Sequence, residues 1–229
     1  MRSAEGVRSS MGPPRRGGRP SQLEAPRIRE KILDVATTLI LTHGYGATSV
    51  EAIAQRAGIS KRTFYHRFND KADLFGAVVH RLVDRLRPPG NAILPKGDTF
   101  DEILENLAHL ILAASLTPEA LALYRVILSE ATRFPKLAEV VHAQGARQEA
   151  IGHISKLLEQ EADAGRLDLR DCQFAAEQFL QMVISAPQRR ALGLGVPMSR
   201  PELDIWVRDT VKLFLDGCRA PRRQPPGDA

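Results

Sequence analysis

From Ser60 to Lys71 the chain reads S-K-R-T-F-Y-H-R-F-N-D-K. Lys61, Arg62, Thr63, Tyr65, His66 and Arg67 are donors or cations, and Phe64 and Phe68 stand four residues apart among them. On a helix that spacing puts both rings on one face, where they can anchor the segment. The polar groups are left on the other side. Such a helix can present hydrogen-bond donors to base edges in a major groove while its aromatic underside is held in a core.

The flanking elements are the ones needed to mount it. Ile28, Ile32, Val35, Ala36, Leu39 and Ile40 recur at three- and four-residue steps and predict a helix over 26–42, opened by Pro26 and stopped by Gly44. Ser49 is a cap for a short helix over 50–57. Gly58 supplies the sharp turn, since glycine takes a left-handed conformation without steric cost. Ser60 caps a helix over 61–68. Asp70, with Asp73 three residues on, opens another whose inward stripe is Leu74, Val78, Leu82 and Leu86. Two short helices across a tight glycine turn, behind a longer helix, form a helix-turn-helix pattern.

Charge is distributed to match. The chain has 229 residues and a formal net charge of +5. Residues 1–87 carry a net +8 and the remainder −3. A basic front and a mildly acidic back point to nucleic acid bound by one end. Residues 1–25 are rich in Gly, Pro, Ser and Arg and are expected to be disordered. Within them Gly17-Gly18-Arg19-Pro20 is similar to a minor-groove hook, so Arg19 belongs either to a groove-following arm or to a solvated tail.

Past a break at Pro88–Gly97, every long segment has helical period and none alternates like a strand. Helices are expected from Phe100, from Pro118 behind a Thr117 cap, from Pro135 to about Ala164 with a bend near Gly145, over 171–192, and over 201–219. Pro187 is expected to kink or end the fourth of these. The reading is all-α: an N-terminal three-helix helix-turn-helix DNA-binding domain (26–87), then a C-terminal helical ligand-binding and dimerisation domain (98–219). Residues 220–229 form a tail.

Other chemistries find little support. There is no G-x-S-x-G, H-E-x-x-H or phosphate-binding glycine loop, so an enzyme is not expected. The six histidines form no ligand spacing on one helix face, and neither metal nor cofactor is expected. Cys172 and Cys218 fit free thiols in a reducing compartment. No apolar stretch reaches the ~20 residues that span a bilayer, and the N-terminus lacks the apolar region of a secretory signal. A cytoplasmic location without a membrane partner is the expectation.

The run A-T-S-V-E-A-I-A-Q-R-A-G-I-S-K-R-T-F-Y-H-R-F-N-D-K-A-D-L (Ala47–Leu74) resembles the DNA-binding domain of the TetR family of bacterial transcription regulators. Gly44-Tyr45 and the Ile32/Ala36 helix match it too. Tyr124-Arg125, Glu130, Arg133-Phe134-Pro135 and 179–182 resemble the C-terminal domains of the AefR-like subgroup. The resemblance implies a phosphate contact from Ser49 or Thr48, base reading from Lys61, Arg62 and Thr63 behind the Ser60 cap, contacts to phosphate or thymine methyl from Tyr65 and His66, and a phosphate clamp at Lys71. Arg62 fits a guanine edge best, by its O6/N7 fork geometry. Lys71 has little evident structural reason to be a cation beside a helix N-terminus, which strengthens its phosphate role.

The resemblance also implies a homodimer on a palindromic double-stranded operator, released by an effector. The final two helices would form a four-helix bundle through Phe174, Phe179, Val183, Trp206, Val207, Val211 and Phe214. A small apolar or amphipathic effector would contact Leu107, Ile111, Tyr124, Arg125, Leu128, Phe134, Gln178 and Met182. The helix over 71–87 would be the lever between the halves. Arg125, Glu130 and Arg133 either orient the polar part of a ligand or pair with one another. Control by a protein partner, or effector-less architectural binding, are the competing readings.

Overall fold

The computed structural model describes residues 24–86, 97–137, 139 and 146–219. Expectations that concern the N-terminal arm with Arg19, the 88–96 break, Gly145 and the C-terminal tail lie outside these residues. The described elements are helices: α1 Glu24–His43, α2 Val50–Ala57, α3 Lys61–Tyr65, α4 Lys71–Leu86, α5 Phe100–Ser115, α6 Pro118–Glu130, α7 Ala146–Asp163, α8 Cys172–Ala191 and α9 Arg200–Cys218. Among the described residues the extended pairing is limited to an isolated bridge between Leu167 and Arg219. No single described helix is long and apolar enough to cross a membrane.

In the front half α1 packs against α2, α4 and α6. Ile32, Leu33, Ala36 and Ile40 of α1 are buried with Ile53 and Ala57 of α2, Phe64, Phe68, and Leu74, Val78 and Leu82 of α4. The turn between α2 and α3 is a Schellman motif. Gly58 sits at φ 64°, its N–H bonds to the Gln55 carbonyl, and Ile59 N–H reaches back to Ala54 O at 3.0 Å. The α-helix of α3 ends at Tyr65, three residues before the expected limit at Phe68. The chain turns there: Arg67 N–H and Phe68 N–H both donate to Phe64 O, which tucks Phe68 under the helix. Asp70 then caps α4 through Asp73 N–H at 2.8 Å, and the Asp73 carboxylate accepts Asn69 N–H at 2.9 Å. Arg81 bridges α4 to α1. Its guanidinium donates to Asp34 at 2.8 Å, to Glu30 at 3.3 Å and to the Thr37 hydroxyl at 3.0 Å.

The back half is built on α8. It packs most extensively against α7, and α5 fills the groove between α8 and α9. Of the two outcomes expected at Pro187, an end to the helix does not occur: α8 continues through it to Ala191. A proline withholds the N–H that would bond the carbonyl four residues earlier, here that of Val183. The Trp206 indole N–H of α9 donates to that carbonyl at 3.0 Å. The helix therefore tolerates its proline, because a neighbour satisfies the orphaned acceptor.

This arrangement corrects most of the expected dimer face. Phe179, Val183, Val207, Val211 and Phe214 are buried inside one chain, with the Phe179 and Phe214 rings 5.0 Å apart. They are the seam between α8 and α9, so they are not available to a second copy. Trp206 is half-buried against the same seam. Of the expected set Phe174 alone is fully outward, at 60% exposure. Other apolar residues of this region that face solvent are Ile205 and Leu213 on α9 and Leu194 and Val196 in the α8–α9 loop.

The Trp206 bond can be tested by Trp206→Phe, which keeps an aromatic ring and removes the donor. The expected loss is about 1–3 kcal/mol, the cost of a buried acceptor left unpaired. In a Pro187→Ala background, where the backbone N–H returns, chemical denaturation should show a smaller loss.

Candidate nucleic-acid interface

The surface of α3 is built outward from its anchors. Phe64 is fully buried and Phe68 nearly so, with ring centroids 5.7 Å apart. Ser60 caps the helix by accepting Thr63 N–H at 3.1 Å, and its hydroxyl lies 2.9 Å from that of Thr63. With the aromatic side held down, Lys61, Arg62, Tyr65 and His66 are exposed and Thr63 is half-buried. Tyr65 is 55% exposed and packs edge-on to Phe64, so its ring is braced while its outer edge is free. Lys61 forms an ion pair with Glu51 of α2, which holds that carboxyl below its usual range and raises the ammonium. Both partners are fully exposed, so the pair orients Lys61 more than it stabilises the fold. Arg62 makes no ion pair among the described residues. Arg67 is half-buried, and its Nε lies buried without a hydrogen-bond partner among the described residues.

The two candidates for the hydroxyl contact at the start of α2 separate cleanly. Ser49 is exposed and accepts Ala52 N–H at 3.1 Å. Thr48 is 2% exposed, and its hydroxyl donates to Gly44 O at 2.8 Å, closing the turn after α1. Burial thus removes Thr48 from the candidate DNA contacts.

Lys71 has the structural role that its sequence context did not reveal. Its ammonium donates to the carbonyls of Tyr45 at 2.9 Å and Thr48 at 3.0 Å. It also stands 4.1 Å from the Tyr45 ring centroid and 5.7 Å from that of Phe134. Burial lowers this ammonium below the ordinary lysine value, opposed by the nearby Glu130 carboxylate and reinforced by Arg133. Two of its three N–H groups are thereby committed to the turn between α1 and α2, and one is left for another acceptor.

Phe134 and Glu130 come to the same spot from the back half of the chain. Tyr45 meets Phe134 edge-on at 5.1 Å and Phe75 of α4 at 5.4 Å. The Glu130 carboxylate, at the end of α6, accepts Gly46 N–H at 2.8 Å across 84 residues of sequence. A Cβ on Gly46 would lie 3.1 Å from Glu130 Oε2 and 3.3 Å from Phe134 Cε2, so any side chain here would press on both and push them back. Of the two open readings of Glu130, ligand orientation and pairing with Arg125 or Arg133, neither describes it. Arg133 stacks on Phe134 instead, 5.2 Å from its centroid. The front core also takes in Val126 and Leu137, with Leu123, Ile127 and Phe134 packed on it. It crosses the boundary at which sequence divided the halves.

A cavity of about 480 Å³ lies between α4, α5, α6, α7 and α8, within the size range of small-molecule sites. Ile111 and Tyr124 line it, as expected. The other expected contacts do not, because their helical phase turns them elsewhere. Leu107 is buried in the back core, Met182 packs on that core, and Phe134 sits in the front stack. Arg125, Leu128 and Gln178 face solvent. Leu180, Gln181, Ile184 and Gln188 of α8 take the place of Gln178 and Met182. Leu82 and Val83 of α4 and Ala120, Leu123 and Ile127 of α6 complete the apolar wall, and Arg147, Glu149 and His153 of α7 form a polar edge. These α7 residues gave no motif signal, since a sparse polar face on a helix reads as solvated.

A family profile described as bacterial regulatory proteins, tetR family, matches residues 32–78. A second, the AefR-like transcriptional repressor C-terminal domain, matches residues 102–218, half of the chain. The chain belongs to the TetR family. It is 32% identical over 130 residues to the transcriptional regulator AcrR of Shigella flexneri, covering 55% of this chain and 60% of AcrR. It is 37% identical over 81 residues to the transcriptional activator FasR of Mycolicibacterium smegmatis, covering 35% of this chain and 36% of FasR. The chain thus spans less than two thirds of these curated relatives. Among solved structures, the flavonoid-responsive regulator FrrA is 30% identical with a TM-score of 0.72, covering 86% of this chain and 99% of FrrA. TetR-family proteins are helix-turn-helix transcriptional regulators that bind DNA and typically act as dimers. They are not enzymes.

Replacing Lys71 by Met keeps the aliphatic stem and removes the cation. The expected loss of folding stability is about 1–3 kcal/mol, from two turn carbonyls losing a charged donor. Urea denaturation of the purified variant measures it.

Proposed function

We propose that this TetR-family regulator is a ligand-released repressor that binds a palindromic operator as a homodimer. One observation carries the reading: α3 presents an exposed Arg62, with no ion pair among the described residues, on a helix whose aromatic underside is buried. Arg62 then reads a guanine edge by a bidentate contact, with Lys61 and Thr63 on neighbouring bases. Ser49, Tyr65 and His66 hold phosphates or thymine methyls, and the remaining N–H of Lys71 is available to a phosphate. A second copy joins through the outward residues of α8 and α9, Phe174, Ile205 and Leu213, in place of the buried seam. Two-fold symmetry sets half-sites about one helical turn apart, roughly 34–36 Å. Repression is favoured by the AefR-like repressor match over the back half; the FasR match covers about a third of each chain. Acting on chromosomal DNA, the protein would work in the cytoplasm.

The effector fits a mostly apolar body with a hydroxyl or similar polar edge. Apolar side chains dominate the cavity wall, and Arg147, Glu149, His153 and Gln188 supply the polar groups. His153 Nδ1 lies 2.8 Å from the Glu149 carbonyl, an acceptor, so Nδ1 carries the proton. In the neutral ring Nε2 is then an acceptor for a ligand hydroxyl. A polyphenol has this chemistry, in keeping with the name of FrrA.

Footprinting should show a protected dyad. Arg62→Ala should cost about 1–3 kcal/mol of operator affinity and relax preference at one base pair per half-site. Unchanged sequence preference in that variant would remove Arg62 as a reader. Phe174→Asp should shift the chain from dimer to monomer in sedimentation analysis, with its helical circular dichroism intact.

A further inference from the structure

The cavity and the front turn share a helix. Ala120, Leu123 and Ile127 of α6 wall the cavity, and Glu130, three residues beyond Ile127, holds Gly46 N–H at 2.8 Å. Leu123, Ile127 and Glu130 lie at positions i, i+4 and i+7, one stripe along α6. From Ala120 to Glu130 the helix rises about 15 Å, a rigid span of nearly three turns. Gly46 lies three residues before Ser49, whose side chain caps α2. The turn and the carboxylate lie close together, since a Cβ at Gly44 or Gly46 would stand 3.0–3.1 Å from a Glu130 oxygen. Sequence made α4 the lever between the halves. In the structure α4 reaches the cavity through Leu82 and Val83 and holds the turn before α2 through Lys71, while α6 grips the same turn from the back half through Glu130 and Gly46.

We propose that Glu130 is the positioning residue that couples the cavity to the DNA-binding helices. A body seated against Ala120, Leu123 and Ile127 displaces α6, and the carboxylate carries that displacement to Gly46 and so to the cap of α2. Lys71, Tyr45 and Phe134 keep the turn compact, so that it moves as a unit. Glu130 touches neither DNA nor ligand in this scheme. The inference rests on the proposal that occupancy of this cavity controls operator binding.

The test needs no known effector. Ala120→Phe places a phenyl ring in the cavity as a built-in occupant. A duplex selected from random sequence by the full-length chain serves as operator. Affinity is measured for the wild type, Ala120→Phe, Glu130→Ala and the double variant, with thermal unfolding of each. The expected result is a drop of about tenfold or more on adding the ring to the wild type, within the usual range of coupling. On adding it to Glu130→Ala the change should fall under about twofold. Glu130→Gln keeps an oxygen able to accept Gly46 N–H and should retain most of the ring's effect. A merely structural Glu130 would lower stability without altering the effect of the ring. An undiminished effect in Glu130→Ala overturns this inference alone, and a Gln variant as uncoupled as the Ala variant overturns the hydrogen bond as its carrier. No effect of the ring in any background would overturn control by the cavity itself, and the inference with it.

Discussion

A carboxylate near the middle of the chain accepts a hydrogen bond from a backbone N–H 84 residues earlier, and both halves of the molecule are fixed by that meeting. Gly46 N–H and the Glu130 carboxylate meet at 2.8 Å because α6 ends beside the turn, and a bare glycine leaves that approach uncrowded. Around this bond Lys71, Tyr45, Phe75 and Phe134 form a cluster of one cation and three rings. A cation beside aromatic faces and between two carbonyls is stabilised by several weak terms at once, which offsets the loss of hydration that lowers its pKa. The same contacts fix the start of α4 and the cap of α2. The exposed face of α3 can be rigid because everything behind it is tied down.

The two halves meet other demands by the same logic of satisfied backbone and buried rings. Gly58 allows α2 and α3 to meet at a sharp angle, and Phe64 and Phe68 then pin α3. In the back half Trp206 completes the hydrogen bonding that Pro187 interrupts, so that α8 stays long enough to carry both the cavity wall and the outward face. The cavity lies between helices that also touch the front half.

Local pattern was sufficient for much of this. Helical period located the helices of both halves, Ser49, Ser60 and Asp70 acted as the caps their types suggested, and Gly58 made the turn. The polar residues of α3 fell on its exposed side because two phenylalanines four apart set its phase. Helix propensity and capping are decided within a few residues, so they are written locally. Where local rules competed, contacts beyond them decided: α3 ended earlier than expected when the chain turned on the Phe64 carbonyl, and α8 did not end at its proline, whose orphaned acceptor a distant indole satisfies.

What sequence by itself determined was the all-α fold, the helix-turn-helix and the outward donors of its second helix. Which apolar stripe meets which partner was decided by tertiary structure alone. Phe179, Val207 and Phe214 read as well for a dimer surface as for an internal seam, and packing chose the seam. Gln178 and Met182 differ from Leu180 and Gln181 by a fraction of a helical turn, which is enough to move a residue off the cavity wall. Lys71 and Glu130 carried charges with no local reason, and that reason lay across the fold in two glycines, two carbonyls and two rings. Hydrophobic pattern specifies that a face is buried. The identity of the neighbour depends on how helices distant in sequence are oriented, and no local spacing encodes that.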